Sequence, residues 1–328
     1  MELATELLFL VLGLVLLFFG SEWLVKGSSE LALRLGVSPL VIGLTIVAFG
    51  TSAPELLASV TANLADPPQG GLAIGNVVGS NICNIGLVLG LTALLKPLVV
   101  NRQVIVRDMP LLLVTTLIFL WFLSDGAISR AEGVTFTVGV VAYTVISLII
   151  SRRSGKKDSG LEMTEEEISE AKKGGAKKTV IDIALIIVGL LLLVKGADLL
   201  VDSGMVIARS IGVPEAVIGL TMIALGTSLP ELATSIAAVR KGEIDIITGN
   251  AIGSCVFNLL AVIGITALIS PIKATAITSI DLYTLLGITV AVVVLGFMGS
   301  VLSRWQGAVL LTVYLVYTAY LGLQTLNL

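Results

Sequence analysis

Residues 43–56, GLTIVAFGTSAPEL, and residues 219–232, GLTMIALGTSLPEL, are identical at ten of fourteen positions. The likeness runs on in both directions. GSEWLVKGSSELALRLGV (20–37) aligns with GADLLVDSGMVIARSIGV (196–213). After a loop that differs by two residues, GNVVGSNICNIGLVLG (75–90) aligns with GNAIGSCVFNLLAVIG (249–264). A chain that repeats one unit is constrained to fold as two copies of that unit.

The solvent of the unit follows from its side chains. Of 328 residues 56% are hydrophobic and 13% charged, and runs of the roughly 20 apolar residues needed to cross a bilayer recur throughout. We place ten spans near 7–26, 38–63, 72–95, 108–124, 131–150, 180–203, 214–239, 245–269, 281–299 and 305–324. The first follows Glu2 and Glu6 rather than a basic stretch and has no small-residue cleavage pattern, so it reads as a retained helix. One long polar segment, 151–179, divides the spans five and five. The expected organisation is a first five-helix repeat over 1–150, a linker over 151–179 and a second repeat over 180–328. Its acidic run Glu165 to Glu167 reads as a solvated helix face, since the glycine-turned calcium loop is missing.

Five is odd, so the second unit enters the membrane from the opposite side. The fold class expected is an all-α polytopic membrane protein of ten transmembrane helices in two inverted five-helix repeats, an arrangement known among secondary transporters. With 151–179 cytoplasmic, all of the twenty Lys and Arg except Arg130, Lys195, Arg209 and Lys273 fall at or near cytoplasmic ends. Both termini then lie outside. Glu22, Lys26, Lys195, Asp198 and Asp202, in the aligned first spans, are expected to be partly buried, snorkelling or paired. The net charge of −3 points to no nucleic acid. The surroundings expected are lipid, in the cell membrane, and the residues do not say which proteins, if any, the chain meets.

Histidine is absent and the two cysteines, Cys83 and Cys255, stand alone in apolar runs. That excludes histidine-based catalysis and zinc patterns; no enzyme activity and no cofactor are expected, and the chemistry falls to oxygen. In each repeat a proline, Pro54 or Pro230, cannot donate a backbone hydrogen bond and clashes with the carbonyl four residues earlier, at Gly50 or Gly226. Carbonyls around Ala48 to Thr51 and Ala224 to Thr227 are expected to leave the helix ladder, which at membrane depth is tolerated only inside protein or beside a cavity. Glu55 and Glu231 follow directly. A carboxylate at the bilayer centre costs about 2.5–3.5 kcal/mol on insertion scales, and two in duplicated, broken helices read as a functional pair rather than as structural hydrogen bonders. With the hydroxyls of Thr51, Ser52, Thr227 and Ser228 they make a set of hard oxygen donors of the kind calcium takes.

A second polar element accompanies each break. Asn76, Ser80 and Asn84 are spaced four apart on one helix face, as are Asn250, Ser254 and Asn258. Asn76 and Asn250 suit either interhelical hydrogen bonding or site lining. Gly75, Gly79, Gly249 and Gly253 read as packing positions where helices approach closely.

These paired motifs, over 43–60 with 75–90 and 219–236 with 249–264, resemble the repeats of the cation/calcium exchanger superfamily, most nearly its sodium/calcium exchanger branch, and the resemblance spans nearly all ten helices. It implies an antiporter that exchanges sodium for calcium by alternating access. Spans 1 and 6 would slide as a pair across a central site built from spans 2, 3, 7 and 8. Carried onto matching positions, it makes Glu55 and Glu231 calcium ligands with Thr51 and Thr227. It gives the sodium sites to Ala48, Ser52, Glu55, Ser80, Ala224, Thr227, Ser228, Glu231 and Ser254. Asn84 and Asn258 line the centre, and Asn258 stands where some relatives carry aspartate. Two other readings share these residues: a proton/calcium exchanger of the same fold, and a cation channel.

Overall fold

In a computed structural model of the chain, residues 2–153, 175–212, 224–274 and 277–326 are described. Ten helical segments follow in order: α1 (Glu2–Leu35), α2 (Pro39–Leu64), α3 (Gly70–Leu95), α4 (Val104–Asp125) and α5 (Arg130–Arg153) in the first half, then α6 (Gly175–Ser210), α7 (Leu229–Lys241, preceded by the turn Ala224–Thr227), α8 (Ile244–Ile269), α9 (Ser279–Phe297) and α10 (Arg304–Leu326). Among the described residues nine helices are long and apolar enough to cross a membrane. Of the seventh expected span, 214–223 lies outside the described residues, as do 154–174 of the linker, Glu165 to Glu167 included.

The termini of two spans differ from expectation. Spans expected at 7–26 and 180–203 are helices of 34 and 36 residues. Hydropathy ends where charge begins, but Glu30, Arg34, Lys177 and Lys178 are good helix formers, and the helices continue through them. At 1.5 Å per residue each is about 50 Å long, well beyond a hydrocarbon core of about 30 Å, which tilt and protruding ends accommodate.

Two apolar clusters hold the helices. The larger joins α2 to α5 with α7 to α10 and encloses α3 and α8 most fully. The smaller, around Leu17, Leu24, Leu31, Ile186, Leu193 and Ala197, lies along the seam of α1 with α6 and touches α2 and α7 through Val47 and Leu229. Glycines set the closeness of that seam. A Cβ on Gly20 would sit 2.9 Å from the Gly189 carbonyl oxygen, and one on Gly196 2.9 Å from the Gly13 carbonyl. The two backbones therefore touch at points seven residues apart, a contact only small residues permit. Below it, buried Arg34 pairs with Asp182. α1 and α6 thus pack as a pair, their shared core reaching Ile42 and Val47 of α2 and Leu229 of α7.

The inverted duplication is visible in how the halves interlock. The two-residue strand Leu98–Val99 (β1) pairs antiparallel with Val301–Leu302 (β4), and Ala127–Ile128 (β2) with Ile272–Lys273 (β3), so the loops of each repeat tie to those of the other. The Asp108 carboxylate accepts a hydrogen bond from the Tyr143 hydroxyl at 3.3 Å, joining α4 to α5. Asp281 accepts one from Tyr317 at 2.8 Å, joining α9 to α10.

Candidate cation site

Each broken helix turns at an equivalent serine. In α2 the helix interrupts at Ser52 (φ −85°, ψ 3°) and resumes at Ala53; before α7 it interrupts at Ser228 (φ −92°, ψ 2°) and resumes at Leu229. The break is narrower than the sequence suggested. Ser52 N–H still reaches the Ala48 carbonyl at 3.0 Å, so Ala48 keeps its donor, although the helix is already widened into a π-helical stretch over Gly43–Val47, and Pro54 has no N–H to offer the Gly50 carbonyl. Past the break Glu55 and Glu231 stand in the first turn of the resumed helices, both fully buried.

The stripes of α3 and α8 meet these turns crosswise. Thr51 of the first repeat donates to the Asn250 side-chain oxygen of the second at 3.1 Å and lies 3.4 Å from the Ser254 hydroxyl. Thr227 of the second repeat donates to the Asn76 oxygen at 3.5 Å and lies 3.5 Å from the Ser80 hydroxyl. Ser80 donates to Glu55 Oε1 at 2.8 Å and also touches the Ser228 hydroxyl at 3.0 Å. The Thr51 and Ser254 hydroxyls face Glu231, yet neither Glu231 oxygen has a hydrogen bond of ordinary length, and Glu55 Oε2 has none either. The two carboxyls are close enough to feel each other's charge.

Thr51, Ser52, Ser80, Ser228, Ser254, Asn84 and Asn258 are buried around them, with Ala48 packed alongside. Thr227 is half-buried, the one member at an opening, and the side chain of Ala224 lies outside the described residues. Asn76 and Asn250 both bond across helices; Asn76 Nδ2 donates to the Glu55 carbonyl and to the Ser59 hydroxyl, each at 3.0 Å. Unpartnered buried atoms gather here: the Ser52 hydroxyl, both ends of the Asn84 amide, Asn250 Nδ2 and Asn258 Oδ1. A buried polar group without a partner costs about 1–3 kcal/mol. Such a concentration in one place marks a pocket for something that supplies the missing interactions. Among the described residues no cluster of three or more His, Cys, Asp or Glu side chains occurs; the donors are two carboxylates, hydroxyls and amides.

The sequence reading missed two features. At Asn84 and Asn258 both α3 and α8 widen into π-helical turns, Asn84–Leu89 and Asn258–Val262, a distortion frequent at functional sites that no residue pattern announces. Asn81 stands off the four-residue stripe, yet it is fully buried and bonded across the repeats. Of the four glycines expected as close packing positions, those of α8 are so, a Cβ on Gly249 falling 2.8 Å from the Leu40 carbonyl, whereas in α3 a Cβ on Gly79 would meet nothing within 4 Å and one on Gly75 only the Ile277 side chain at 3.5 Å.

The sequence matches the family model "Sodium/calcium exchanger protein" twice over, at residues 5–149 and 181–323. The chain belongs to the sodium/calcium exchanger family. Among curated relatives of this family member, the CaxA protein of Alkalimonas amylolytica is 40% identical over 94% of this chain and 96% of its own length. The sodium/calcium exchanger MaX1 of Methanosarcina acetivorans is 33% identical over 97% of this chain and 99% of its own. Among solved structures, the sodium-calcium exchanger NCX_Mj soaked with 10 mM Na+ and 10 mM Sr2+ superposes with a TM-score of 0.80 at 32% identity, covering 96% of this chain and 97% of that one. The exchanger is thus an all-helical membrane antiporter of the cation/calcium class, with inverted five-helix repeats.

A cavity of about 170 Å³ opens between α6 and the two breaks, bounded by Pro54, Asp198, Asp202, Gly226, Thr227 and Pro230. On the equivalent face of α1, Glu22 pairs with Lys241 at the end of α7, Nζ to carboxylate 3.0 Å.

Proposed function

We propose that the exchanger moves calcium against sodium by alternating access, one calcium held by Glu55 and Glu231 with the carbonyls of Thr51 and Thr227. The sodium ions that replace it would share those carboxylates and use Ala48, Ser52, Ser80, Ala224, Thr227, Ser228 and Ser254, with Asn84 and Asn258 lining the centre. The observation that carries this reading is the convergence of two buried carboxylates, one from each inverted repeat, whose free oxygens are ringed by hydroxyls and amides. Two negative charges match one calcium; neutral oxygens multiply the positions where monovalent ions can sit.

Coupling follows from competition. A doubly charged empty site is penalised in low dielectric, so the carrier moves when its charges are compensated and stalls when they are not. The α1/α6 pair, held together by its close glycine seam, is the mobile element, and the cavity along α6 is the route to the site in this conformation. The 151–179 segment joins the repeats, 1–150 and 180–328, on the cytoplasmic side, with both termini outside and the protein in the cell membrane. MaX1 and NCX_Mj, named as sodium/calcium exchangers, support sodium as the counter-ion, as do the hydroxyls of Ser80 and Ser254 at the positions facing the carboxylates.

Calcium uptake into proteoliposomes under imposed sodium, proton and potassium gradients in turn tests this. Uptake driven by sodium alone is expected. Uptake driven by protons alone assigns the proton/calcium reading, and flux far above carrier turnover assigns a channel.

A further inference from the structure

We infer that Asn81 is a positioning residue, holding the amide of Asn258 so that only its carbonyl oxygen is offered to the ions. This rests on the proposed place of Asn258 at the centre of the site. An asparagine side chain has two ends of similar shape and opposite polarity, and the end presented to a ligand is decided by what holds the other. Asn258 Nδ2 donates to Asn81 Oδ1 at 3.0 Å. Asn81 cannot turn over to offer its own NH2 there, because its Nδ2 donates to the Cys255 carbonyl at 3.2 Å. All three residues are fully buried, so water does not compete for the chain of bonds. Asn258 Oδ1 is left as the free end, buried and without a partner.

The arrangement exists once, although the fold is duplicated. In the aligned motifs the residue equivalent to Asn81 is Cys255, whose thiol lies 3.8 Å from the Asn81 carbonyl and holds no amide. Asn84, the counterpart of Asn258, accordingly has both ends of its side chain unpartnered. Two amides that the repeats make equivalent therefore differ: Asn258 is a fixed oxygen donor, and Asn84 is free to turn.

A carboxylate has no wrong end, and that supplies the test. Equilibrium calcium binding is measured on the purified protein in detergent, with thermal unfolding alongside. Asn81→Leu should weaken calcium binding about fivefold, the effect of losing about 1 kcal/mol of orientation. The same change in an Asn258→Asp background should have less than about a third of that effect, a non-additivity expected only of coupled residues. Equal losses in both backgrounds would show that Asn81 merely fastens α3 to α8, and an unchanged affinity for Asn81→Leu alone would equally overturn the inference. If Asn258→Ala leaves calcium binding intact, the central placement of Asn258 fails first and the role of Asn81 with it. Asn81→Ala serves in the same pair of backgrounds should the leucine variant not fold.

Discussion

Lys241→Met should release α1 from the end of α7 and shift the exchanger toward conformations in which the α1/α6 body has moved. Lys241 Nζ lies 3.0 Å from the Glu22 carboxylate and donates to the Glu22 main-chain oxygen at 2.9 Å. Arg240 adds a looser contact to the same carboxylate at 3.8 Å, its guanidinium 5.0 Å from the centre of the Phe18 ring. The Glu22 and Lys241 side chains are about a quarter exposed, so the ion pair itself contributes about 0.2–1 kcal/mol and the charged hydrogen bond somewhat more. Discounted for solvent, the pair contributes about 1–2 kcal/mol, a factor of roughly 5–30 in population. The bias has no counterpart in the other half. The residues equivalent to Arg240 and Lys241 are Leu64 and Ala65, and Asp198, equivalent to Glu22, makes no ion pair among the described residues. Both native cysteines are buried, so spin labels on cysteines added at exposed positions such as Leu12 of α1 and Val114 of α4 report the distance between the two bodies. The minor distance should gain at least fivefold in Lys241→Met, and raised salt should move the wild type the same way. An unchanged distribution, or an equal shift from Asp198→Asn, would refute the reasoning.

Glu55→Gln and Glu231→Gln should each abolish calcium exchange in proteoliposomes while the protein still purifies folded, because each removes half the charge available to a divalent ion; near-normal uptake in either contradicts the site. Ser80→Ala and Ser254→Ala should raise the sodium concentration needed for exchange more than they weaken calcium binding, and equal losses in the two assays argue against hydroxyls as sodium donors. Gly20→Val places a Cβ 2.9 Å from both the Gly189 carbonyl oxygen and the Leu193 nitrogen, with two methyl groups beyond it, and should lower the unfolding temperature by the equivalent of about 1–3 kcal/mol; an unchanged melting curve would mean that the seam is looser than described. Deleting 155–175 should leave sodium-driven uptake largely intact, since long polar connections tolerate changes of length, and total loss of transport in well-folded protein would assign the segment a part in the mechanism.

Much of this was legible in the residues because membrane folds are constrained twice, by apolar length and here by repetition. The pairing of Thr51 with the α8 stripe and of Thr227 with the α3 stripe follows from duplicated motifs that must meet at a common interface. What stayed hidden has physical reasons. Hydropathy stops at the first charge, so it could not show that α1 and α6 run on through Arg34 and Lys177. Asn81 follows Ser80 directly and points off the stripe, where a polar residue in an apolar helix gives no sign of its partner. The Asp108–Tyr143 and Asp281–Tyr317 bonds join spans outside the matched motifs, where a lone acid and a tyrosine in apolar runs do not name each other. The glycine contacts between α1 and α6 depend on register between two helices far apart in sequence, which no local pattern encodes.

A perfectly duplicated, inverted chain would have two access states of equal energy, because each repeat would play in one state the part its twin plays in the other. Departures from the repeat are therefore the places where the preference between states resides. Glu22 is latched by Lys241 while Asp198 borders an open cavity. Ser80 is bonded to Glu55 while Ser254 leaves both oxygens of Glu231 unpartnered. Asn81 fixes one central amide while Cys255 leaves the other loose. Each difference amounts to about 1 kcal/mol by the ordinary worth of a hydrogen bond or partly exposed ion pair, and a few of them summed give a population ratio of one to two powers of ten. Ions that bind the two states unequally then act against that built-in preference, and the same residues that break the symmetry set how much differential affinity the ions must supply to reverse it.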